Sequence, residues 1–74
     1  MLALLRETRR AAGVTQVQLA HRLGRTQSIV SKMELGEVRL DVIQLRAVCA
    51  AIGTTLPAFT AKLEERLAKV RRRK

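Results

Sequence analysis

Two short segments near the middle of this sequence each begin with threonine and end with glycine, and they constrain the fold more than any other feature. They cover residues 15–24 and 26–36. Threonine is a favourable helix N-cap, and glycine ends a helix at little steric cost because it readily adopts the left-handed backbone conformation. The pattern therefore predicts a helix over residues 16–23 and another over residues 27–35, joined by a tight turn.

The two predicted helices bury one face each, and the second is polar on the other side. In the first, Leu19 and Leu23 recur at helical spacing, and Gln18 completes a capping box with the preceding threonine. In the second, Val30 and Met33 form the buried stripe. Its outward face carries Gln27, Ser28, Ser31 and Lys32. This is the layout of a DNA-binding helix-turn-helix, whose second helix enters the major groove N-terminus first.

Apolar periodicity predicts three further helices and no strand. The first covers residues 2–12, with Leu2, Leu5 and Ala12 facing inward. The fourth follows an Asp41 cap and runs to residue 52, with an inward stripe of Val42, Leu45, Val48 and Ile52. The fifth begins after Thr55. The predicted fold is a compact, all-α, five-helix domain over residues 1–74, with the helix-turn-helix at 16–35 and an extended C-terminal helix and basic tail at 56–74.

The fifth helix is longer than a core of this size needs. Leu56, Phe59 and Leu63 are expected to close the core, whereas Leu67 and Val70 continue the apolar stripe beyond it. Such a stripe is usually covered by a partner. We therefore expect a homodimer with an interface of Leu63, Leu67 and Val70. A frayed, self-repelling basic tail remains an alternative, and acidic residues on the polar face disfavour a membrane-surface role.

Charge and cysteine content restrict the partners and the compartment. The net charge is +9, divided as +5 over residues 1–33, −1 over 34–53 and +5 over 54–74. This balance favours a polyanionic partner such as double-stranded DNA. The lone Cys49 excludes a disulfide within the chain, and the absence of a leader or membrane-spanning run suggests the cytoplasm. One histidine and one distant cysteine make no metal cluster, so we expect neither metal nor cofactor. No nucleophile, base and orienting acid suggest themselves, so we expect no enzymatic activity.

The sequence resembles the Cro/repressor-type, or XRE-like, helix-turn-helix domains over about residues 2–60. The matching residues are Thr15-Gln16, Leu19-Ala20, Leu23-Gly24, Thr26-Gln27-Ser28, Val30-Ser31-Lys32, Glu34 and Gly36, followed by a helix ending Ala51-Ile52-Gly53. The resemblance implies a repressor-like fold and a two-fold dimer on DNA. It also implies an ion pair between Arg9 and Glu34 and a DNA-backbone contact for Gln16. Arg25 departs from the family, which commonly has an apolar residue at this turn position.

Candidate contacts divide into base-reading and phosphate-binding groups. The base-reading candidates are Gln27, Ser28, Ser31 and Lys32, because amide, hydroxyl and ammonium groups match base edges in the major groove. The phosphate-binding candidates are Gln16, Arg22, Arg25, Thr26 and Arg39.

The resulting hypothesis is a dimeric transcriptional repressor that reads a palindromic operator through the third helix. The alternative is an antitoxin or protein-interaction module whose C-terminal helix docks a partner protein, such as a toxin or another regulator, with DNA binding secondary. A third possibility is nonspecific RNA binding through the basic residues 71–74.

Overall fold

The computed structural model describes the backbone of residues 1–72 and the side chains of residues 1–70. The ordered elements of this part of the chain are all helical, which confirms the predicted fold class. Their bounds agree with the predicted ones within one residue where both were specified. The helices are α1 Leu2–Ala11, α2 Gln16–Leu23, α3 Gln27–Glu34, α4 Val42–Ile52 and α5 Leu56–Arg72. The predicted basic tail, residues 71–74, lies outside the residues whose side chains the structure describes.

The core lies where α2 packs against α3 and α4, with α1 covering α3 and α5 covering α4. Its most deeply buried side chains are Leu19, Val30, Val48, Cys49 and Phe59. Burying an aliphatic or aromatic side chain of this size contributes about 1.5–3 kcal/mol, so a few such residues hold a small domain together. Burial also raises the pKa of the Cys49 thiol, which keeps it protonated as a small apolar group.

Two residues expected on inward stripes are exposed instead. Helix α1 ends at Ala11, and Ala12 lies in the following turn, where its side chain is in solvent. Val42 is the first residue of α4 and is 68% exposed, because the buried stripe of α4 begins one turn later, at Leu45. The predictions that Ala12 and Val42 face inward were therefore wrong. Leu4 in α1 and Cys49 in α4 are buried in addition to the residues predicted for those helices.

Gly36 fixes how α1 meets the end of α3. Its φ is +79°, and a Cβ atom placed on it would lie 3.1 Å from Cδ1 of Leu2. Both the backbone conformation and the close approach therefore favour glycine. Leu2 covers the end of α3 in this way, and the contact helps to set the position of α1 against the helix-turn-helix.

Helix α5 divides into a packed half and an exposed half. The Oγ1 atom of Thr55 accepts a hydrogen bond from the Ala58 amide at 3.2 Å, which caps the N-terminus as predicted. Phe59 is buried, and Leu63 is half-buried against the core. Leu67 is 48% exposed and Val70 is 62% exposed. The outer half therefore presents apolar side chains that the rest of the described chain leaves uncovered.

No single helix within residues 1–72 has the length and apolar character to cross a membrane; α4 and α5 meet that criterion only together, across a bend of 105°. The same part of the chain contains no group of three His, Cys, Asp or Glu residues placed to hold a metal ion.

Candidate nucleic-acid interface

Helix α2 is fixed at both ends by local hydrogen bonds. The Gln18 amide donates to Thr15 Oγ1 at 3.1 Å, and the Thr15 amide donates to Gln18 Oε1 at 3.0 Å, which forms the predicted capping box. At the other end, Gly24 has a φ of +66°, and the Arg25 amide donates to the Ala20 carbonyl at 2.9 Å. This is a Schellman ending, and it turns the chain sharply toward α3.

Helix α3 begins directly after that turn and separates apolar from polar side chains. Thr26 caps it by accepting a hydrogen bond from the Ile29 amide at 3.3 Å. The predicted buried stripe, Val30 and Met33, lies in the core. Of the four base-reading candidates, Gln27, Ser28 and Lys32 are exposed and Ser31 is half-buried. The exposed candidates begin at the N-terminal tip of the helix, which is the end that leads into the major groove in helix-turn-helix proteins.

A buried ion pair joins α1 to the end of α3. Arg9 Nε donates to Glu34 Oε2 at 2.6 Å, and Arg9 Nη2 donates to Glu34 Oε1 at 3.1 Å. Arg9 Nη1 also donates to the Val14 carbonyl at 2.8 Å. Only 6% of Arg9 and 7% of Glu34 is exposed, and no buried side-chain nitrogen or oxygen among the described residues lacks a partner. Such a bidentate pair has narrow geometry, so it fixes α3 relative to α1.

Glu34 is held in its charged form by its neighbours. Burial alone raises the pKa of a carboxyl group, but the hydrogen bonds from Arg9 and Gln16 and the positive charge of Arg9 outweigh that effect. The pKa of Glu34 therefore lies below its ordinary value of 4.5. At neutral pH the Glu34 carboxylate is therefore charged and accepts hydrogen bonds at the C-terminal end of α3.

Hydrogen bonds connect this ion pair through two glutamines to the N-terminal tip of α3. Gln16 Nε2 donates to Glu34 Oε1 at 3.0 Å, and Gln27 Nε2 donates to Gln16 Oε1 at 2.8 Å. We refer to Arg9, Glu34, Gln16 and Gln27 as the polar chain. A carboxylate only accepts, so Gln16 must direct its NH2 group to Glu34 and its carbonyl to Gln27. Gln27 is thereby oriented with its own carbonyl and one N–H hydrogen left for another molecule.

The hydrogen bonds that Gln16 makes to Glu34 and Gln27 were not predicted from the sequence. Gln16 was expected to contact a DNA phosphate, and in the structure its amide also connects the ion pair to Gln27. One available signal was positional, because Gln16 and Gln27 each follow a threonine cap and so occupy the N-terminal tips of two adjacent helices. Facing tips bring two long side chains within reach of each other.

The remaining phosphate-binding candidates lie in different surroundings. Thr26, Arg25 and Arg39 are exposed, and the side chains of both arginines have no hydrogen-bond or ion-pair partner within the described residues. Arg22 is also exposed, but its Nη1 atom donates to the Ala51 carbonyl at 2.6 Å near the C-terminus of α4. The structure thus directs one donor of Arg22 toward α4, while the guanidinium groups of Arg25 and Arg39 bind no other described residue. The Thr26 hydroxyl accepts from the Ile29 amide and keeps its own hydrogen for a ligand.

Comparisons with known proteins identify the family and the fold. The family described as "Helix-turn-helix domain" matches residues 1–62. An XRE-family like protein from Pseudomonas syringae pv. tomato str. DC3000 has a solved structure that is 56% identical, with a TM-score of 0.81, over 86% of this chain and 78% of that one. No curated protein matches. The fold and site define a helix-turn-helix DNA-binding domain, a class that is typically non-enzymatic. The chain belongs to its XRE family.

Proposed function

We propose that this protein is a transcriptional regulator that binds double-stranded DNA as a dimer and represses by occupying a palindromic operator. The observation that carries the proposal is the polar chain, which braces α3 and orients Gln27 at its exposed tip. A reading helix must hold its side chains in one geometry, because base discrimination depends on paired hydrogen bonds. A lone buried cysteine is consistent with action in the cytoplasm, where the DNA target lies.

The contacts with DNA are divided between specificity and positioning. Gln27 offers its carbonyl and one N–H to adenine, while Ser28, Ser31 and Lys32 contact neighbouring base edges or phosphates. Gln16, Thr26, Arg25 and Arg39 hold the DNA backbone, supported by the net charge of +9. Arg22 belongs to the same set, because its guanidinium is exposed and keeps further N–H donors beside the one from Nη1 to the Ala51 carbonyl.

A second copy would cover the outer half of α5. Leu67 and Val70 are both about half exposed or more, and they lie on the helix that extends away from the core. Leu63 contributes less to the proposed dimer interface than expected from the sequence, because it packs against the core of its own chain. The proposed interface is therefore centred on Leu67 and Val70, and it pairs two recognition helices for two half-sites.

The same exposed surface also favours a second candidate function. A partner protein, such as a toxin or another regulator, could cover Leu67 and Val70 in place of a second copy. Light scattering on the purified chain distinguishes the two candidate functions. A stable dimer without any partner supports the repressor, and a monomer at all accessible concentrations supports the docking module.

Selection of bound fragments from the host genome tests the proposed function directly. We expect an enriched, two-fold symmetric site whose half-site centres lie about 34–36 Å apart, roughly one helical turn. The logarithm of the affinity should fall linearly with the logarithm of the salt concentration, with a slope that counts the phosphate contacts. Equal retention of all fragments at moderate salt would rule out sequence-specific regulation.

A further inference from the structure

A surface groove of about 230 Å³ lies between the helix-turn-helix and α4. Its apolar lining comes from α2, α3, the following loop and α4, and consists of Leu23, Ile29, Met33, Val38, Ala47 and Val48. Ile29 stands on the flank of the reading helix, two residues from Gln27. The groove therefore adjoins the part of α3 that is proposed to meet DNA.

Two polar side chains complete the lining, and both present hydrogen-bond donors. Arg25 has no ion-pair or hydrogen-bond partner for its guanidinium within residues 1–72. Gln44 uses its Oε1 atom to accept a hydrogen bond from the Asp41 amide at 3.1 Å, so its NH2 group remains available. No aspartate or glutamate lines the groove. The cavity thus combines an apolar floor with a cationic, donor-rich rim.

We infer that this groove binds a small monocarboxylate with an apolar body, about the size of benzoate. A cavity of about 150 Å³ lined by aliphatic side chains is large enough for benzene, so the groove has room for a ring and a carboxylate. Arginine recognises a carboxylate by charge-assisted, often bidentate, hydrogen bonds. A cationic ligand would be repelled by the guanidinium of Arg25, and a neutral one would gain no charge-assisted hydrogen bond from it.

Occupancy of the groove would affect DNA binding through Arg25. The same guanidinium is proposed above to contact a DNA phosphate, and it cannot serve both anions fully. A bound carboxylate therefore weakens the complex with DNA and acts as an inducer. This consequence rests on the proposed function, whereas binding of the carboxylate to the free protein does not.

Titration of the full chain with benzoate, followed by methyl NMR, tests the site. We expect saturable shifts at the methyl groups of Ile29, Val38 and Met33, and binding of benzyl alcohol, a neutral molecule of similar size, at least about tenfold weaker. The Arg25→Gln variant should lose that preference. The Arg46→Gln control, which alters an exposed arginine outside the groove, should keep it.

A second pair of variants separates binding in the groove from binding elsewhere. Ala47 lines the groove and Ala50 does not, although both are exposed on α4. Ala47→Leu should fill the space and abolish the shifts, whereas Ala50→Leu should leave them unchanged. Absence of saturable shifts, equal affinity for the alcohol, or an unaffected Arg25→Gln variant would each overturn the proposed site.

The effect on DNA is measured with the selected operator at constant ionic strength, with chloride replacing benzoate in the control. We expect benzoate to lower the DNA affinity of the native chain and to leave that of Arg25→Gln unchanged. Unchanged affinity with the groove occupied would overturn the inducer role while the binding site stands. A chain that binds benzoate but prefers no DNA sequence would instead contradict the proposed function alone.

Discussion

The helix-turn-helix and the outer half of α5 are each joined to α1 by an arginine–carboxylate pair, but the two pairs lie in opposite environments. In the Arg9–Glu34 pair the side chains are 7% and 4% exposed. In the Arg66–Glu7 pair they are 47% and 57% exposed, although the nitrogen–oxygen distances are similar at 2.6 and 2.7 Å. Distance alone therefore does not distinguish them, and burial does.

The difference shows which part of the molecule is built to be rigid. A buried pair must keep all its hydrogen bonds, because a single charge left in the interior is costly, and it thereby holds α3 in one orientation. An exposed pair is solvated and screened, and it constrains the helix that carries it only weakly. Helix α3 is thus fixed relative to α1, whereas the outer half of α5 is held to α1 only weakly. We refer to the helix-turn-helix as the rigid region and to the outer half of α5 as the adjustable region.

The largest expected effect comes from removing the arginine of the buried pair. Arg9→Met leaves the Glu34 carboxylate in the interior with only the Gln16 amide as a donor. We expect the free energy of unfolding, measured with urea, to fall by about 3–5 kcal/mol. This is a large share of the total stability of a domain of this size.

Two further variants establish whether the unpaired charge of Glu34 causes the loss of stability in Arg9→Met. The double variant Arg9→Met with Glu34→Leu replaces the pair with apolar groups and should recover much of the loss. Arg10→Met removes a neighbouring arginine that is exposed in α1 and should change little. Equal destabilisation by Arg10→Met and Arg9→Met would show that the buried pair has no special role.

The next effect concerns the exposed end of the polar chain. Gln27→Ala should remove about 1–3 kcal/mol of discrimination at one base pair in each half-site, because the bidentate contact with adenine is lost. Gln16→Ala should loosen Gln27 and remove a backbone contact together, so it should also weaken binding to unrelated sequences. Affinities for the selected operator and for single-base variants measure both effects. An equal loss on every sequence for Gln27→Ala would remove Gln27 from the base-reading set.

Acid should weaken the rigid region through Glu34. The pKa of Glu34 is lowered in the folded state, so its charged form contributes stability that is present above its ordinary value of 4.5 and lost as the pH falls through the folded-state pKa. Glu34→Gln should be less stable than the native chain at neutral pH. The difference in free energy of unfolding between the native chain and Glu34→Gln should narrow below about pH 4.5, as measured by urea unfolding at several pH values. A constant gap down to about pH 3 would contradict the role of the charge.

The sequence predicted the helices well because their ends are determined locally. Thr15, Thr26 and Asp41 cap within three residues of themselves, and Gly24 ends α2 through its own backbone conformation. Tertiary hydrogen bonds were harder to predict. The link from Gln16 to Gln27 depends on how two helices cross, and the bond from Arg22 to Ala51 joins residues 29 positions apart. No local pattern specifies either contact.

The exposure of single residues was also beyond local reasoning. Val42 has the right spacing for the inward stripe of α4, but it is the first residue of the helix and is 68% exposed, because the buried stripe begins one turn later at Leu45. Periodicity identifies a face of a helix and does not show how far along the helix the core extends. The exposure of Leu67 and Val70 was predicted correctly, because that prediction compared the length of α5 with the size of the core.

Within the adjustable region, Leu67→Asp should dissociate the proposed dimer without unfolding the chain. A charge at the centre of the proposed interface faces its own copy across the two-fold axis, where both desolvation and like-charge repulsion oppose association. We expect the mass from light scattering to halve, and the monomer to keep its stability within about 0.5 kcal/mol, since the position is solvent-exposed. Ile43→Asp, which alters an 81% exposed residue on α4, is the matched control. Unchanged mass for Leu67→Asp would retire the α5 interface.

The smallest effect should follow from breaking the exposed pair with Arg66→Gln. The pKa of Glu7 is lowered by its hydrogen bond with Arg66, but both groups lie in solvent, so the pair should add little to overall stability. Hydrogen exchange offers a more sensitive measurement than urea unfolding. Amides in the outer turns of α5 should exchange faster, while those of α2 and α3 keep their native rates, because local opening of a helix end need not disturb the core. Faster exchange throughout α2 and α3 would mean that α5 and the reading helix form one cooperative unit, and the contrast between a rigid and an adjustable region would fail.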